Sequence, residues 1–254
     1  MGRYATYQCG RNVSKMSYEN FAYYYDSLMD EQFYEDYYQF ILQHCQFDEV
    51  FELGCGTGEM AIRLAKSKKT VYASDISSDM LEVAKQKAIE QQVNLVLQRV
   101  DMCDFTLSRP VDLVLCLCDS LNYLTDPQQM TQTFLNVFQS LGDGGTFIFD
   151  VDSLYKMDVI LKDYHEKEED EEFIFDWSVE NISEGYIHHH VYIEDKKEHD
   201  IVDEDHYQKT YPVSQYLYWL HEAGFQNIEY YSDFTTYHDD CERIIFVCRK
   251  EEVS

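Results

Sequence analysis

Residues 50–59 read Val-Phe-Glu-Leu-Gly-Cys-Gly-Thr-Gly-Glu, an apolar strand that leads into three glycines and then into a helix-like segment at residues 60–65. Glycine at alternating positions lets the backbone turn sharply and lets a ligand lie against it, because no Cβ stands in the way. The loop ends at a helix N-terminus, whose unpaired N–H groups attract negative or electron-rich groups. We therefore expect a ligand here that carries a carboxylate or phosphate and a nucleoside.

The chain of 254 residues has a formal net charge of −28, and 45% of its residues are hydrophobic. This length suits one large α/β domain or one domain with an insertion, and the apolar content supports a packed core. A strongly negative field repels phosphate backbones, so we expect no direct nucleic-acid binding, although a partner could present a nucleic-acid substrate. No stretch approaches eighteen apolar residues, so we expect no membrane span.

Eight cysteines are scattered along the chain without a C-x-x-C pair, and Cys116, Cys118 and Cys248 lie in apolar runs. This usage is typical of reduced, buried thiols, so we expect a cytoplasmic protein. Cys55 lies inside the glycine loop, where a nucleophile could stand. We interpret it instead as a small residue that fits a crowded loop.

Apolar strands alternate with amphipathic helices over most of the chain, and this alternation predicts a doubly wound, mostly parallel α/β sheet. Between residues 163 and 211 the alternation breaks into an acidic linker and segments of period two, which predict an inserted antiparallel β cap. The seven predicted strands of the main sheet are residues 48–53, 70–75, 93–98, 111–118, 146–151, 225–231 and 243–248.

Four regions follow from this pattern. Residues 17–45 are rich in tyrosine at helical spacing, so residues 1–46 are predicted to form an N-terminal helical lid. Residues 47–153 are predicted to form the cofactor-binding core. Residues 154–212 form the predicted cap, and residues 213–254 return to the core. Within residues 163–206 lie seventeen acidic residues and three lysines. Such a run is usually a solvated face, and the alternative is that it guides a cationic or amine substrate.

Polar residues follow four of the predicted strands, at the edge where open α/β sheets bind ligands. After the glycine loop come Asp75, then the pair Asp101-Met102, then residues 117–123. A carboxylate at Asp75 can accept both hydroxyls of a ribose, and Asp101 can accept from an adenine amino group while Met102 packs on the ring. Each aspartate alone could instead be a turn or cap residue.

The glycine spacing differs from the dinucleotide fingerprint G-x-G-x-x-G, because the three glycines alternate and Glu52 lies two places before the first. At this point the sequence resembles the class I S-adenosylmethionine-dependent methyltransferases, whose first motif reads E/D-x-G-x-G-x-G. The resemblance implies S-adenosylmethionine as cofactor, with its methionine part in the glycine loop, its ribose at Asp75 and its sulfonium near Leu117 and Ser120. The cofactor contacts assigned in this way are Tyr18, Glu52, Gly54, Cys55, Gly56, Gly58, Asp75, Ile76, Asp101, Met102, Leu117, Cys118 and Ser120.

Three shorter segments also resemble known methyltransferases. Residues 116–124 are similar to the fourth strand of glycine and small-amine N-methyltransferases, and residues 21–26 to the lid helices of bacterial small-molecule methyltransferases. Residues 203–208 resemble an acidic-x-His segment that closes the cap in amino-sugar N-methyltransferases. The glycine enzymes supply a lid arginine for the substrate carboxylate, whereas only Arg3 and Arg11 occur in this lid, which weighs against an amino-acid substrate.

Methyl transfer from a sulfonium is an in-line displacement, so the protein chiefly aligns the acceptor and excludes water. A base can remove a proton, and the candidates are Tyr25, Tyr123 and His206, with Tyr18 also near the site. We favour His206, because histidine titrates near neutrality and the cap should overhang the sulfonium. The three histidines at residues 188–190 alternate in direction on a strand, so we expect no metal site.

The leading hypothesis is thus a cytoplasmic methyltransferase that acts on nitrogen or oxygen of a small molecule. The first alternative is a fold that binds S-adenosylmethionine as a sensor or assembly partner without catalysis. The second is an NAD-linked oxidoreductase, which fits less well because Gly58 comes one residue too early for the dinucleotide fingerprint.

Overall fold

The computed structural model describes residue 22, residues 31–197 and residues 199–251 of the chain. Within them, an eight-stranded mixed sheet forms the core and a separate four-stranded antiparallel sheet forms the cap. The helices are α1 (Glu31–His44), α2 (Glu59–Lys66), α3 (Ser78–Glu90), α4 (Pro127–Ser140) and α5 (Val213–Ala223), with a 3-10 helix at Ser120–Tyr123. The core strands are β1 (Glu49–Leu53), β2 (Thr70–Asp75), β3 (Val96–Arg99), β4 (Val111–Cys116), β5 (Leu141–Asp152), β10 (Asn227–Ser232), β11 (Thr235–Thr236) and β12 (Arg243–Arg249).

The core sheet has the strand order β11-β10-β12-β5-β4-β1-β2-β3. Strands β1 to β5 pair in parallel, whereas β12 is antiparallel to both of its neighbours, β5 and β10. This arrangement confirms the predicted seven-stranded, mostly parallel sheet. Strand β11, which is two residues long, adds an eighth strand at the edge of the core sheet beside β10 and was not predicted. The chain order reverses between β1 and β4, which marks the point where such sheets bind ligands.

Both faces of the core sheet are buried, because the strands are apolar on both sides as expected for a parallel sheet. On one face, Phe134 of α4 and Trp219 of α5 pack against Phe149 and Phe246 of the sheet. On the other face, the apolar sides of α1 and α2 cover residues such as Leu115. The described part of the predicted lid, α1, therefore packs in the core.

Helix ends follow the sequence signals. Ser77 caps α3, since its hydroxyl accepts a hydrogen bond from the backbone N–H of Met80. Asp126 caps α4 by accepting from the backbone N–H of Gln128, and Pro127 occupies the first turn, where its missing N–H is not needed. Ser77 thus begins α3 directly after β2, and Asp126 begins α4 shortly after the 3-10 helix.

The cap consists of β6 (His165–Glu169), β7 (Phe173–Ser183), β8 (Tyr186–Asp195) and β9 (Asp200–Lys209), paired in that order. Strand β6 lies in the segment that we assigned to an acidic linker, so that assignment was wrong. Its side chains are mostly exposed and show no apolar alternation, and it is a strand because its backbone pairs with β7.

The two faces of the cap differ in chemistry. The outer face carries paired histidines and acids, for example His188 with Asp205 at 2.6 Å and His190 with Asp203 at 2.8 Å. His189, between them in the chain, points inward and is buried. The three consecutive histidines therefore alternate in direction as predicted. Among the described residues, no helix is long and apolar enough to cross a membrane.

Candidate active site

The glycine loop connects β1 to α2, and all three glycines adopt left-handed backbone conformations, with φ of +64° at Gly54, +52° at Gly56 and +80° at Gly58. L-residues adopt this conformation only with strain. A Cβ at Gly54 would lie 2.7 Å from Ser120 Oγ, whereas a Cβ at Gly56 would meet nothing within 4 Å. The backbone at Gly56 therefore borders open space, and Gly54 lies tightly against the loop that follows β4.

Asp75, at the end of β2, holds this loop in place. Its Oδ2 accepts a hydrogen bond from the backbone N–H of Gly56 at 2.9 Å, and its Oδ1 accepts from the N–H of Ser77 at 2.8 Å. The carboxylate thus bridges the glycine loop and the start of α3. Each carboxylate oxygen accepts more than one hydrogen bond, so Asp75 retains capacity to accept from a ligand.

Glu52, the last acidic residue before the loop, is buried within β1. Burial raises its pKa to about 8, the nearby Asp75 carboxylate adds to this shift, and a hydrogen bond from the backbone of Ala61 opposes it. Its Oε2 has no hydrogen-bond partner among the described residues. A buried oxygen without a partner is costly, so Glu52 is suited to accept from a ligand that enters the loop.

The two remaining predicted adenine contacts follow β3. Asp101 accepts a hydrogen bond from the backbone N–H of Cys103 at 2.8 Å, which is the turn role that we considered as its alternative. The methyl group of Met102 lies 3.8 Å from the position of a Cβ at Gly54. Ile76, next to Asp75, exposes 60% of its surface, which is unusual for so apolar a side chain. These apolar groups border the same edge of the sheet as the glycine loop.

The loop after β4 is held in a strained conformation by one buried carboxylate. Cys118 and Asp119 both have positive φ, 55° and 52°. Asp150 of β5, which is fully buried, accepts from both of their backbone N–H groups, at 2.7 Å and 2.9 Å. Ser120 then reaches back and donates to the carbonyl of Gly54 at 3.3 Å or of Leu117 at 2.8 Å. Residues 117–120 therefore contact the glycine loop, as their assignment to one site requires.

Arg243 of β12 links three carboxylates at this loop, of which Asp150 and Asp152 are buried and Asp119 is partly exposed. It donates to Asp150 and to Asp119, and its Nη2 lies 3.6 Å from Asp152. Lys156 pairs with Asp152 at 2.9 Å. Desolvation raises the pKa of Asp119, but Arg243, Lys156 and a hydrogen bond from Gln208 outweigh it, so the pKa of this carboxyl is lowered overall. Asp119 is therefore ionised beneath the cap.

We did not predict this cluster from the sequence. Asp150 and Asp152 occur within the apolar run Phe147-Ile148-Phe149-Asp150-Val151-Asp152, and charged residues in a buried strand are a usable signal, because buried charges require partners. No local pattern connects them to Arg243, which lies ninety-three residues beyond Asp150 in the chain.

The cap is fixed to the loop after β4 by a chain of hydrogen bonds. Trp177 donates through its indole N–H to Nδ1 of His189 at 3.1 Å, and Nε2 of His189 pairs with Oε1 of Gln208 at 3.0 Å. Gln208 in turn donates to Asp119 at 2.8 Å. Desolvation lowers the pKa of His189 to about 4, so the ring is neutral at neutral pH. A second link runs from the amide of Asn122 to the carbonyl of Lys209 at 2.8 Å.

Two of the predicted catalytic residues meet between the cap and the core. The hydroxyl of Tyr123 lies 3.4 Å from Nδ1 of His206, and their rings pack edge to face. Nε2 of His206 lies 3.3 Å from Oε2 of Glu204, a residue that we did not predict. Tyr18 and Tyr25 lie outside the described residues. The structure thus brings Tyr123 and His206 together at the end of the 3-10 helix that follows β4.

A family model described as a methyltransferase domain matches residues 50–145. Over 247 residues the chain is 37% identical to a protein of Geobacillus sp. (strain WCH70) that is named as a methyltransferase, and the match covers 92% of this chain and 100% of that protein. The chain therefore belongs to the class I S-adenosylmethionine-dependent methyltransferases.

Solved structures agree with this assignment. An S-adenosylmethionine-dependent methyltransferase from Clostridium acetobutylicum ATCC 824 superposes with a TM-score of 0.82 at 26% identity, over 91% of this chain and 98% of that one. A sugar N-methyltransferase from Streptoalloteichus sp. ATCC 53650 superposes with a TM-score of 0.72 at 19% identity, over 99% of this chain and 100% of that one. This second match shows that the two proteins share a fold. The protein is thus an enzyme with S-adenosylmethionine as methyl donor, and the NAD-linked alternative is set aside.

The glycine loop fits this cofactor. The open space beside Gly56 admits a ligand against the backbone, and the buried Oε2 of Glu52 offers an acceptor at the end of β1. Both acidic groups, Glu52 and Asp75, suit a ligand that carries an ammonium group, a sulfonium and ribose hydroxyls.

Proposed function

We propose that this enzyme transfers a methyl group to a nitrogen or oxygen of a small-molecule acceptor, with an amine as the favoured acceptor. The observation that carries the proposal is the contact between Tyr123 of the core and His206 of the cap. Tyr123 lies three residues beyond Ser120, which contacts the glycine loop. An acceptor bound at this position would lie between the predicted sulfonium side of the cofactor and the cap, and its own binding would displace water from the reacting group.

The cofactor is assigned to the carboxyl ends of β1 to β4. In this assignment Asp75 accepts from the ribose hydroxyls, Glu52 faces the methionine part, and Asp101 with Met102 borders the adenine. The support is the alignment of these side chains along one sheet edge and the tight contact between Gly54 and Ser120. Bound there, the cofactor supplies a methyl carbon made electrophilic by its sulfonium, and the electron pair of the broken C–S bond stays on sulfur.

An amine acceptor is favoured by the charges beneath the cap. The described cluster contains three carboxylates, Asp119, Asp150 and Asp152, and two cations, Arg243 and Lys156, so carboxylates outnumber cations. Such surroundings stabilise a cationic ammonium group more than an anionic acceptor. The likeness of fold to a sugar N-methyltransferase is consistent with nitrogen as the acceptor atom, and oxygen remains the second candidate.

A small acceptor is favoured over a nucleic acid by the same acidity, because the net charge of −28 repels phosphate backbones. The cap also lies directly on the loop after β4, through Gln208 and Asp119, which closes that side of the site. The seven cysteines of the described residues are free thiols, and this supports a cytoplasmic location.

The test is an acceptor screen with purified protein and S-adenosylmethionine labelled in its methyl group. The panel contains amino sugars, aliphatic amines, phenols, catechols, transfer RNA and a denatured protein mixture. We expect label in an amine or hydroxyl compound of low mass. Label confined to RNA or protein would overturn the proposal. The variant Asp119→Asn serves as the matched control for acceptor charge, since it removes one carboxylate near the cap and should reduce transfer to amines more than to neutral hydroxyl compounds.

A further inference from the structure

We propose that Tyr123 is the residue that takes the proton from the acceptor, and that His206 and Glu204 are positioning residues that act through it. The inference rests on the proposed function and adds to it the order of the three groups and the role of Glu204. His206 was our preferred base, and in this arrangement it does not itself contact the acceptor.

The geometry orders the three groups in a line. Nδ1 of His206 lies within hydrogen-bond distance of the hydroxyl of Tyr123, at 3.4 Å. Nε2, on the opposite side of the ring, lies within ion-pair distance of Oε2 of Glu204, at 3.3 Å. These distances are long for hydrogen bonds, and catalytic contacts of this kind commonly tighten when the substrate is bound.

Tyr123 is the member of the line that remains open to a ligand. It exposes 49% of its surface, whereas only 19% of the His206 side chain is exposed. Tyr123 is also the last residue of the 3-10 helix whose first residue, Ser120, contacts the glycine loop. Of the two side chains, Tyr123 is therefore the more accessible to an acceptor that enters from solvent.

A tyrosinate does not explain the chemistry, because the surroundings disfavour it. Desolvation and the carboxylates of Asp119 and Glu204 raise the pKa of Tyr123 above its ordinary value. A tyrosine whose charged form is disfavoured passes a proton on only if its own proton leaves at the same time. His206 is placed to receive that proton, and Glu204 stabilises the charge that the ring then gains.

The proton balance is complete. The acceptor nitrogen forms its bond to the methyl carbon, and the proton that it must lose passes to the oxygen of Tyr123. The phenolic proton passes to Nδ1 of His206, and the resulting imidazolium donates from Nε2 to Glu204. Return of the proton to water restores the neutral ring. No oxidant, metal or second substrate is required.

The strand β9 offers a matched control for Glu204. Side chains alternate between its faces, so Glu204 and His206 point toward the core whereas Asp205 points outward. Asp205 pairs with His188 at 2.6 Å on the outer face of the cap. Glu204→Gln removes the carboxylate beside His206, and Asp205→Asn removes the carboxylate beside His188 on the same sheet. Only His206 belongs to the proposed line of proton transfer.

The experiment has a spectroscopic arm and a kinetic arm. Nitrogen-15 NMR of the histidine rings reports the tautomer, because the partner at one nitrogen decides which nitrogen carries the proton. We expect His206 to be the Nε2–H tautomer, to become a mixture in Glu204→Gln, and to be unchanged in Asp205→Asn and in the conservative variant Glu204→Asp. An unchanged His206 tautomer in Glu204→Gln would overturn the proposal.

The kinetic arm uses the amine of the screen that is methylated fastest. Tyr123→Phe should lower kcat by about 10²-fold or more with little change in KM, and Glu204→Gln should lower kcat with partial rescue by Glu204→Asp. If Asp205→Asn lowers kcat as much as Glu204→Gln does, the role of Glu204 is merely structural, and this result would also overturn the proposal. The tautomer does not depend on any acceptor, so failure of the screen and failure of this line of groups are separate results.

Discussion

Oδ2 of Asp75 accepts a hydrogen bond from the backbone N–H of Gly56 at 2.9 Å. The end of β2 therefore holds the middle of the glycine loop in place. One carboxylate therefore both shapes the loop and is placed to accept from the cofactor. Removing it should affect binding through both roles, and Asp75→Asn, which keeps one acceptor oxygen, should affect it less than Asp75→Ala.

We expect Asp75→Ala to weaken S-adenosylmethionine binding by about 10- to 100-fold, the usual cost of losing hydrogen bonds to a charged group. Calorimetric titration measures this directly. Asp79→Ala is the control, because Asp79 is an exposed acid in the first turn of α3 and should leave affinity unchanged. Normal affinity in Asp75→Ala would disprove the ribose assignment.

Two glycine substitutions separate folding from binding. Both Gly54→Ala and Gly56→Ala introduce a Cβ at positive φ, which costs about 1–2 kcal/mol. Only Gly54→Ala also drives a Cβ to 2.7 Å from Ser120, so it should lower the melting temperature more. Gly56→Ala should fold but fail to bind the cofactor, since its Cβ enters the open space beside the loop. Thermal scans with and without S-adenosylmethionine measure both effects.

Glu52 predicts a specific pH dependence in the protein without cofactor. Its pKa is about 8 in the folded state against an ordinary value of 4.5, so the folded protein holds a proton that the unfolded chain has released. This contribution to stability is present below pH 4.5 and is lost as the pH rises to 8. Glu52→Gln stays neutral throughout, so its stability relative to the wild type should rise by up to about 4 kcal/mol across that window.

Urea denaturation of both proteins at pH 5, 7 and 9 measures this difference, and comparison with the variant cancels the other titrating groups. A constant difference between the two proteins at all three pH values would contradict the assignment of a raised pKa to Glu52.

Arg243 holds the buried carboxylates together, so Arg243→Met should reduce the free energy of unfolding by about 3–5 kcal/mol. The double variant with Asp150→Asn should recover part of this loss, because it removes the charge that is left unpaired. Arg249→Met is the control on the same strand. Arg249 pairs with Glu229 at the surface, where an ion pair contributes about 1 kcal/mol or less. Equal losses in both single variants would contradict the role of Arg243.

The sequence was most informative where the signal is local. The glycine loop and Asp75 each lie within a few residues of the element that they define, and backbone sterics act at that range. Strand β6 could not be predicted, because its only reason to be extended is pairing with β7, and its exposed side chains lack the alternation of a half-buried strand.

The buried cluster shows the same limit for the site. Arg243 contacts Asp119 across 124 residues, and such contacts depend on which strands become neighbours in the sheet. Gln208 and Glu204 were within the predicted cap, but their function depends on the face of β9 that each side chain occupies. That face follows from the register of β9 with β8, in which His206 lies opposite His189.

The position of β12 also constrains how the protein is made. It lies between β5 and β10, yet residues 153–242 must leave the ribosome before it does. Until then the apolar edge of β5, with Phe147 and Phe149, has no partner on one side, and an open edge of this kind recruits other chains. Nascent chains therefore carry an unpaired edge while residues 153–242 are synthesised, and strand β12 both covers that edge and supplies Arg243 to the site.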